Sequence, residues 1–139
     1  MNIPRFHLAI PVENLTTTRS FYGGALGCTE GRSADRWIDW NFFGHQISTH
    51  LVEKSSDAAT NPVDGDLVPS RHFGCILTPK KWHELVAQLE HHNIPFRIPP
   101  RVRFEGLPGQ QYTFFVDDPS GNSLEFKAFE DDGHIFKRD

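Results

Sequence analysis

Cysteine is scarce in this chain of 139 residues. Cys28 and Cys75 stand far apart and match neither a metal nor a redox spacing. A disulfide framework is therefore not expected; two buried thiols in a reducing cytosol are. Long apolar runs are missing as well, and none approaches the roughly 20 residues of a membrane span. The opening MNIPRFHLAI carries Pro4, Arg5 and His7 and no hydrophobic leader core, so a cytoplasmic protein is expected. Excess positive charge is also lacking. The formal charge is −4, with no basic stripe, which removes electrostatic support for nucleic-acid binding. Neither nucleic acid nor membrane is expected as a partner.

What the chain does have is turn chemistry and alternation. The length fits one domain, or two small modules sharing a core. Arg5 to Val12 alternates Phe6, Leu8 and Ile10 against His7 and Ala9, and reads as a strand stopped by Pro11. Asn14 caps an expected helix carrying Leu15, Phe21, Tyr22, Ala25 and Leu26, with Gly27 as its stop. Cys28–Ser33, Arg36–Phe43 and His45–Glu53 follow as strands, the first of them weak. Residues 54–70, KSSDAATNPVDGDLVPS, form a polar linker, long enough to be a lid or a module junction.

The order then restarts. Arg71–Leu77 reads as a strand. Thr78 caps a helix with Pro79 at its first position and Trp82, Leu85, Val86 and Leu89 as its apolar stripe, and Asn93 stops it. A strand over Ile94–Ile98 is interrupted by Pro99 and Pro100, and a loop is expected before the strand Gln111–Val116. The turn Asp118-Pro119-Ser120-Gly121-Asn122 leads into a final alternating strand with Leu124, Phe126 and Ala128 on one face and Glu125 on the other. Strand, helix and three strands thus occur twice. The expected class is α+β, one domain over 1–139: module one about 1–53, linker 54–70, module two 71–129, tail 130–139.

Three strands share a pattern. His7, His72 and Glu125 each sit between residues whose side chains turn to the other face. Singly, each has an ordinary explanation as a surface or pocket residue. Together, two imidazoles and one carboxylate on one sheet face would suit Zn, Ni, Mn or Fe(II) and leave positions open for substrate. His83, His91 and His92 read as solvated surface. His50 faces away from Ile47, Thr49 and Leu51 and could share the face of His7.

The chain resembles the vicinal oxygen chelate superfamily, which includes glyoxalase I, extradiol dioxygenases, fosfomycin and bleomycin resistance proteins and methylmalonyl-CoA epimerase. The resemblance rests on FHLAIPVENL with His7, FYGGALGC, HFGCILT with His72, and DDPSGNSLEFKAF with Glu125. It implies paired βαβββ modules forming a curved mixed sheet with a metal-holding cup, a divalent metal (Fe, Mn, Zn or Ni) on His7, His72 and Glu125, a small-molecule substrate and a homodimer. It aligns His50 with the fourth ligand of the isomerases, as a ligand or as a pocket acid or base.

Two His and one Glu make the facial triad of Fe(II) oxygenases, so dioxygenase chemistry leads, ahead of a glyoxalase-like lyase or isomerase. A metal-free sequestering protein of the resistance type is the further alternative. Against ring cleavage, the position where extradiol relatives carry a Tyr is Phe115, and Tyr112 has the opposite strand parity. Arg36, Arg71, Arg101 and Arg103 could clamp an acidic substrate, although solvated surface arginines need no such role.

Overall fold

The computed structural model describes residues 3–54, 60–63 and 65–138. These fall into two compact units, Met1–Ala58 with Asp118–Asn122, and Ala59–Asp117 with Ser123–Asp139. The turn 118–122 thus belongs to the first unit, although both strands it joins belong to the second. No described helix is long and apolar enough to cross a membrane.

The first unit holds β1 (His7–Val12), α1 (Leu15–Thr18), a π-helical segment (Arg19–Ala25), β2 (Thr29–Ala34), β3 (Trp37–Phe42) and β4 (His45–Leu51). Its sheet order is β1-β4-β3-β2, with β1 parallel to β4 and the other pairs antiparallel. Pro11 does not stop β1 but lies within it. The strand is at the sheet edge, where a missing N–H is tolerated. Phe6, expected to point inward, precedes the strand and is exposed, and its N–H donates to His45 Nδ1 at 2.8 Å. Ile10 and Val12 carry the buried face instead.

Asn14 caps the helix as expected, its Oδ1 accepting from Thr17 N at 3.0 Å. The helix turns π after Thr18, however. The wider turn buries Phe21, Tyr22 and Ala25. A Cβ on Gly23 would meet Trp40 Cζ3 at 3.3 Å, so glycine there allows close helix–sheet approach. Gly27, at φ +73°, follows the segment in the left-handed conformation.

The second unit repeats the order: β7 (Ile76–Leu77), α2 (Pro79–His91), β8 (Phe96–Arg103), β9 (Gln111–Asp117) and β10 (Ser123–Phe129), paired β7-β10-β9-β8. The expected pair of βαβββ modules is present as two four-stranded mixed sheets. Three boundaries differ from expectation. The strand over Arg71–Leu77 reduces to Ile76–Leu77, with a bridge from Phe73 to Leu124. Pro99 and Pro100 lie inside β8, an edge strand whose register shifts on both sides of Ile98. Part of the linker is ordered: β5 (Thr60–Val63) and β6 (Asp66–Pro69) form an antiparallel hairpin. Val68 is buried in a cluster with Ile98 and Phe115, and Asp66 pairs with Arg101 at 2.5 Å. This segment is packed against the second sheet and is not a free lid. Residues 55–59 and 64 of the expected linker lie outside the described residues.

On α2, Trp82, Leu85 and Leu89 are buried, and Trp82 Nε1 donates to Phe126 O at 2.9 Å, tying the helix to the central strand. Leu124, Phe126 and Ala128 face this apolar side, fully buried. Cys28 and Cys75 are free thiols and half-buried, less enclosed than expected. Burial pushes the Cys75 thiol up to about 11, so it is protonated and unreactive near neutrality.

Candidate active site

Glu125 projects from β10 to the face opposite Leu124 and Phe126, as alternation requires. His72 approaches it on a backbone that is barely strand but is bonded like one. Phe73 N donates to Ser123 O at 3.2 Å, Glu125 N to Phe73 O at 2.9 Å and Lys127 N to Cys75 O at 3.0 Å. Gly74 makes this approach possible, since a Cβ there would lie 1.6 Å from Glu125 O. His72 Nε2 ends 3.3 Å from Glu125 Oε1.

Both side chains are fixed from behind. Thr113 Oγ1 donates to Glu125 Oε2 at 2.5 Å. His72 Nδ1 lies 2.7 Å from Pro69 O, at the end of the linker hairpin. A carbonyl only accepts, so Nδ1 carries the hydrogen and Nε2 is the atom turned to Glu125. Phe115, the cross-strand partner of Glu125, packs edge-on against His72 with ring centroids 5.1 Å apart and is buried.

A proton on Nε2 would make this contact a charge-assisted hydrogen bond between imidazolium and carboxylate. The bond to Glu125 chiefly raises the imidazole above its ordinary 6.5, against the opposing effect of burial. Burial pushes the Glu125 carboxyl up, but the bonds from His72 and Thr113, with the charge of Lys127, together hold it below its ordinary 4.5. A metal ion fits the same place. Two donors each ~2.1 Å from one ion stand about 3.0 Å apart at a right angle and about 3.4 Å apart in a tetrahedron, which brackets the observed spacing.

His7 and His50 belong to the first unit. His7 is exposed, and its Nδ1 lies 2.8 Å from Gln46 Oε1, so Nδ1 donates and Nε2 keeps its lone pair. His50 is also exposed and pairs with Pro11 and Trp37. It shares the face of Gln46, four residues on, which is roughly 13 Å along the strand. Between them Ser48 Oγ donates to Asp39 Oδ1 at 2.5 Å. Among the described residues, no group of three His, Cys, Asp or Glu side chains is drawn together as a metal site. The structure thus brings His72 and Glu125 into contact, and it adds Thr113, Pro69 and Gln46, which the sequence reading passed over. Thr113 had a readable signal: it shares the strand parity of Phe115.

A family profile described as the Glyoxalase/Bleomycin resistance protein/Dioxygenase superfamily matches residues 6–126. The chain belongs to this superfamily. Among solved structures, a glyoxalase/bleomycin resistance protein/dioxygenase from Alicyclobacillus acidocaldarius is 36% identical, with 96% of each chain covered and a TM-score of 0.80. Two more distant superfamily structures share the fold. A lactoylglutathione lyase from Agrobacterium tumefaciens is 18% identical, covering 97% of each chain, with a TM-score of 0.66. A genomically encoded fosfomycin resistance protein from Listeria monocytogenes is 16% identical, covering 92% of this chain and 94% of its own, with a TM-score of 0.68. No curated protein matches the chain.

Proposed function

We propose that this superfamily member is a divalent-metal enzyme acting on a small substrate that presents two adjacent oxygens. The observation that carries the reading is the 3.3 Å approach of His72 Nε2 to Glu125 Oε1, with both groups oriented from behind by Pro69 and Thr113. Such orienting partners are what a ligating imidazole and carboxylate need, and an ion pair on a surface does not. His72 and Glu125 would hold the ion, with His7 as the third ligand through its free Nε2. The ion, when bound, would supply Lewis-acid polarisation of the substrate oxygens or, as Fe(II), a route for electrons.

The chain's own groups set the rest. Thr113 holds one carboxylate oxygen and leaves the other for the ion. Phe115 keeps water off the imidazole edge. His50 handles a substrate proton as acid or base. The His, His, Glu set favours dioxygenase chemistry. A second reading, a glyoxalase-like lyase or isomerase, is supported by Phe115. Tyr112 does not stand beside Glu125: it turns to the α2 side against Trp82 and bonds Glu130.

Oxygen uptake by the Fe(II)-loaded protein on a catechol panel, set against hemithioacetal turnover with Ni(II) or Zn(II), separates the two. Oxygen consumption supports the first reading. Isomerisation without oxygen use supports the second. Inactivity in both, with no metal bound, would sink the enzyme reading and leave a sequestering protein.

A further inference from the structure

The face of the second sheet that carries Glu125 is ordered in cross-strand rows. One row is Ile98, Phe115 and Glu125; the next is Arg101, Thr113 and Lys127; the third is Arg103, Gln111 and Phe129. Members of a row stand ~5 Å apart, and successive rows ~7 Å apart. The carboxylate of the candidate active site is therefore followed, one row along, by a cation on each side of Thr113.

Arg101 Nε and Gln111 Oε1, in adjacent rows, are buried without a hydrogen-bond partner among the described residues. Arg101 gives Nη1 to Asp66, but its Nε meets no acceptor. Gln111 is only 9% exposed, and its Oε1 meets no donor. Buried polar atoms are almost always satisfied, so a pair left open in adjacent rows points to a group that arrives later. Lys127 is half-buried, makes no described ion pair, and lies close enough to act on both Glu125 and His72. Arg103, in the next row, places its guanidinium 5.1 Å from the Phe104 ring.

We propose that the Arg101–Thr113–Lys127 row binds a carboxylate of the substrate about 7 Å from the Glu125 row, with Gln111 Oε1 accepting from a substrate hydroxyl or N–H. Lys127 and Arg101 take the charge, and the apolar residues of the flanking rows limit water access. The inference deepens the enzyme reading, on which it rests for calling the ligand a substrate. Its test does not depend on metal or turnover.

Benzoate and benzamide, alike in shape and different in charge, are titrated into the metal-free protein by calorimetry. Benzoate is expected to bind at least about tenfold more tightly, and to weaken with added salt. Lys127→Gln should lose about tenfold in benzoate affinity, and Lys127→Arg should restore most of it. Arg101→Gln, on the opposite strand, is the second variant should the first not fold, and should show a like loss. Glu125→Gln, which disables the proposed metal site, should leave benzoate binding intact or tighter, so the subsite stands or falls apart from the metal. Equal affinity for the two probes, or benzoate binding unchanged in Lys127→Gln and Arg101→Gln, would overturn the proposal.

Discussion

Thr113 is a small residue with a directed task. Its hydroxyl occupies one lone pair of Glu125 Oε2 and so aims Oε1 at His72. Thr113→Val keeps the shape and removes the donor. It should weaken divalent-metal affinity by about 10–100-fold, read by competition with a chelator, while thermal stability changes little. At this scale the facing of Glu125 was legible from turn chemistry and strand alternation, and His72, expected on a strand, meets it from a segment bonded to β10 outside β7. The groups behind them did not follow from either. Pro69 contributes a backbone carbonyl, which no side-chain pattern announces, and it comes from a stretch whose Ser, Asp, Pro and Gly content reads as a loose linker. Gln46 was hidden because its partner, His7, lies 39 residues away and meets it through parallel register.

At the scale of elements, the parallel contact beside β10 depends on one missing side chain. Gly74 runs so close to Glu125 that any Cβ collides with its carbonyl oxygen. Gly74→Ala should cost at least about 2–3 kcal/mol in urea unfolding, because the two backbones must separate. It should also weaken metal binding, because His72 moves with its strand. An unchanged unfolding midpoint would show that the contact is looser than described. Apart from the β5–β6 hairpin in the expected linker, element order was legible from periodicity; element ends were not. Pro11, Pro99 and Pro100 were read as stops, yet each lies in an edge strand, and whether a strand is at an edge is decided by tertiary pairing. The π turn after Thr18 likewise answers to burial of Phe21 and Tyr22 against the sheet, which overrides local propensity.

At the scale of the whole molecule, the repeat of two βαβββ modules was the most legible feature, but the turn DPSGN changed meaning. Sequence alone placed it as the lead-in to Glu125. In the structure it is part of the first unit. Asp118 Oδ2 accepts from the buried Tyr22 hydroxyl at 2.8 Å, Asn122 Nδ2 donates to Pro11 O at 2.7 Å, and Glu13 N donates to Ser120 Oγ at 2.7 Å. Burial, with the charge and hydrogen bond of Asp118, holds the Tyr22 phenol well above its ordinary 10. A phenol with a raised folded-state pKa contributes stability below its unfolded value of about 10 and loses it as pH rises beyond. Tyr22→Phe should therefore cost about 1–3 kcal/mol at pH 7 and flatten the alkaline loss of stability above about pH 10. Equal alkaline profiles for the two proteins would place the titrating group elsewhere.

The claim on which the functional account turns is that His72, Glu125 and His7 hold a metal ion. Equilibrium titration of the metal-free protein with Ni(II) or Zn(II), alongside the single variants, tests it most directly. The account predicts one ion per chain, affinity lowered by at least about tenfold in His72→Ala, Glu125→Gln and His7→Ala, and affinity little changed in His50→Ala. No saturable binding, or the same affinity in His72→Ala and Glu125→Gln as in the unaltered chain, would contradict it.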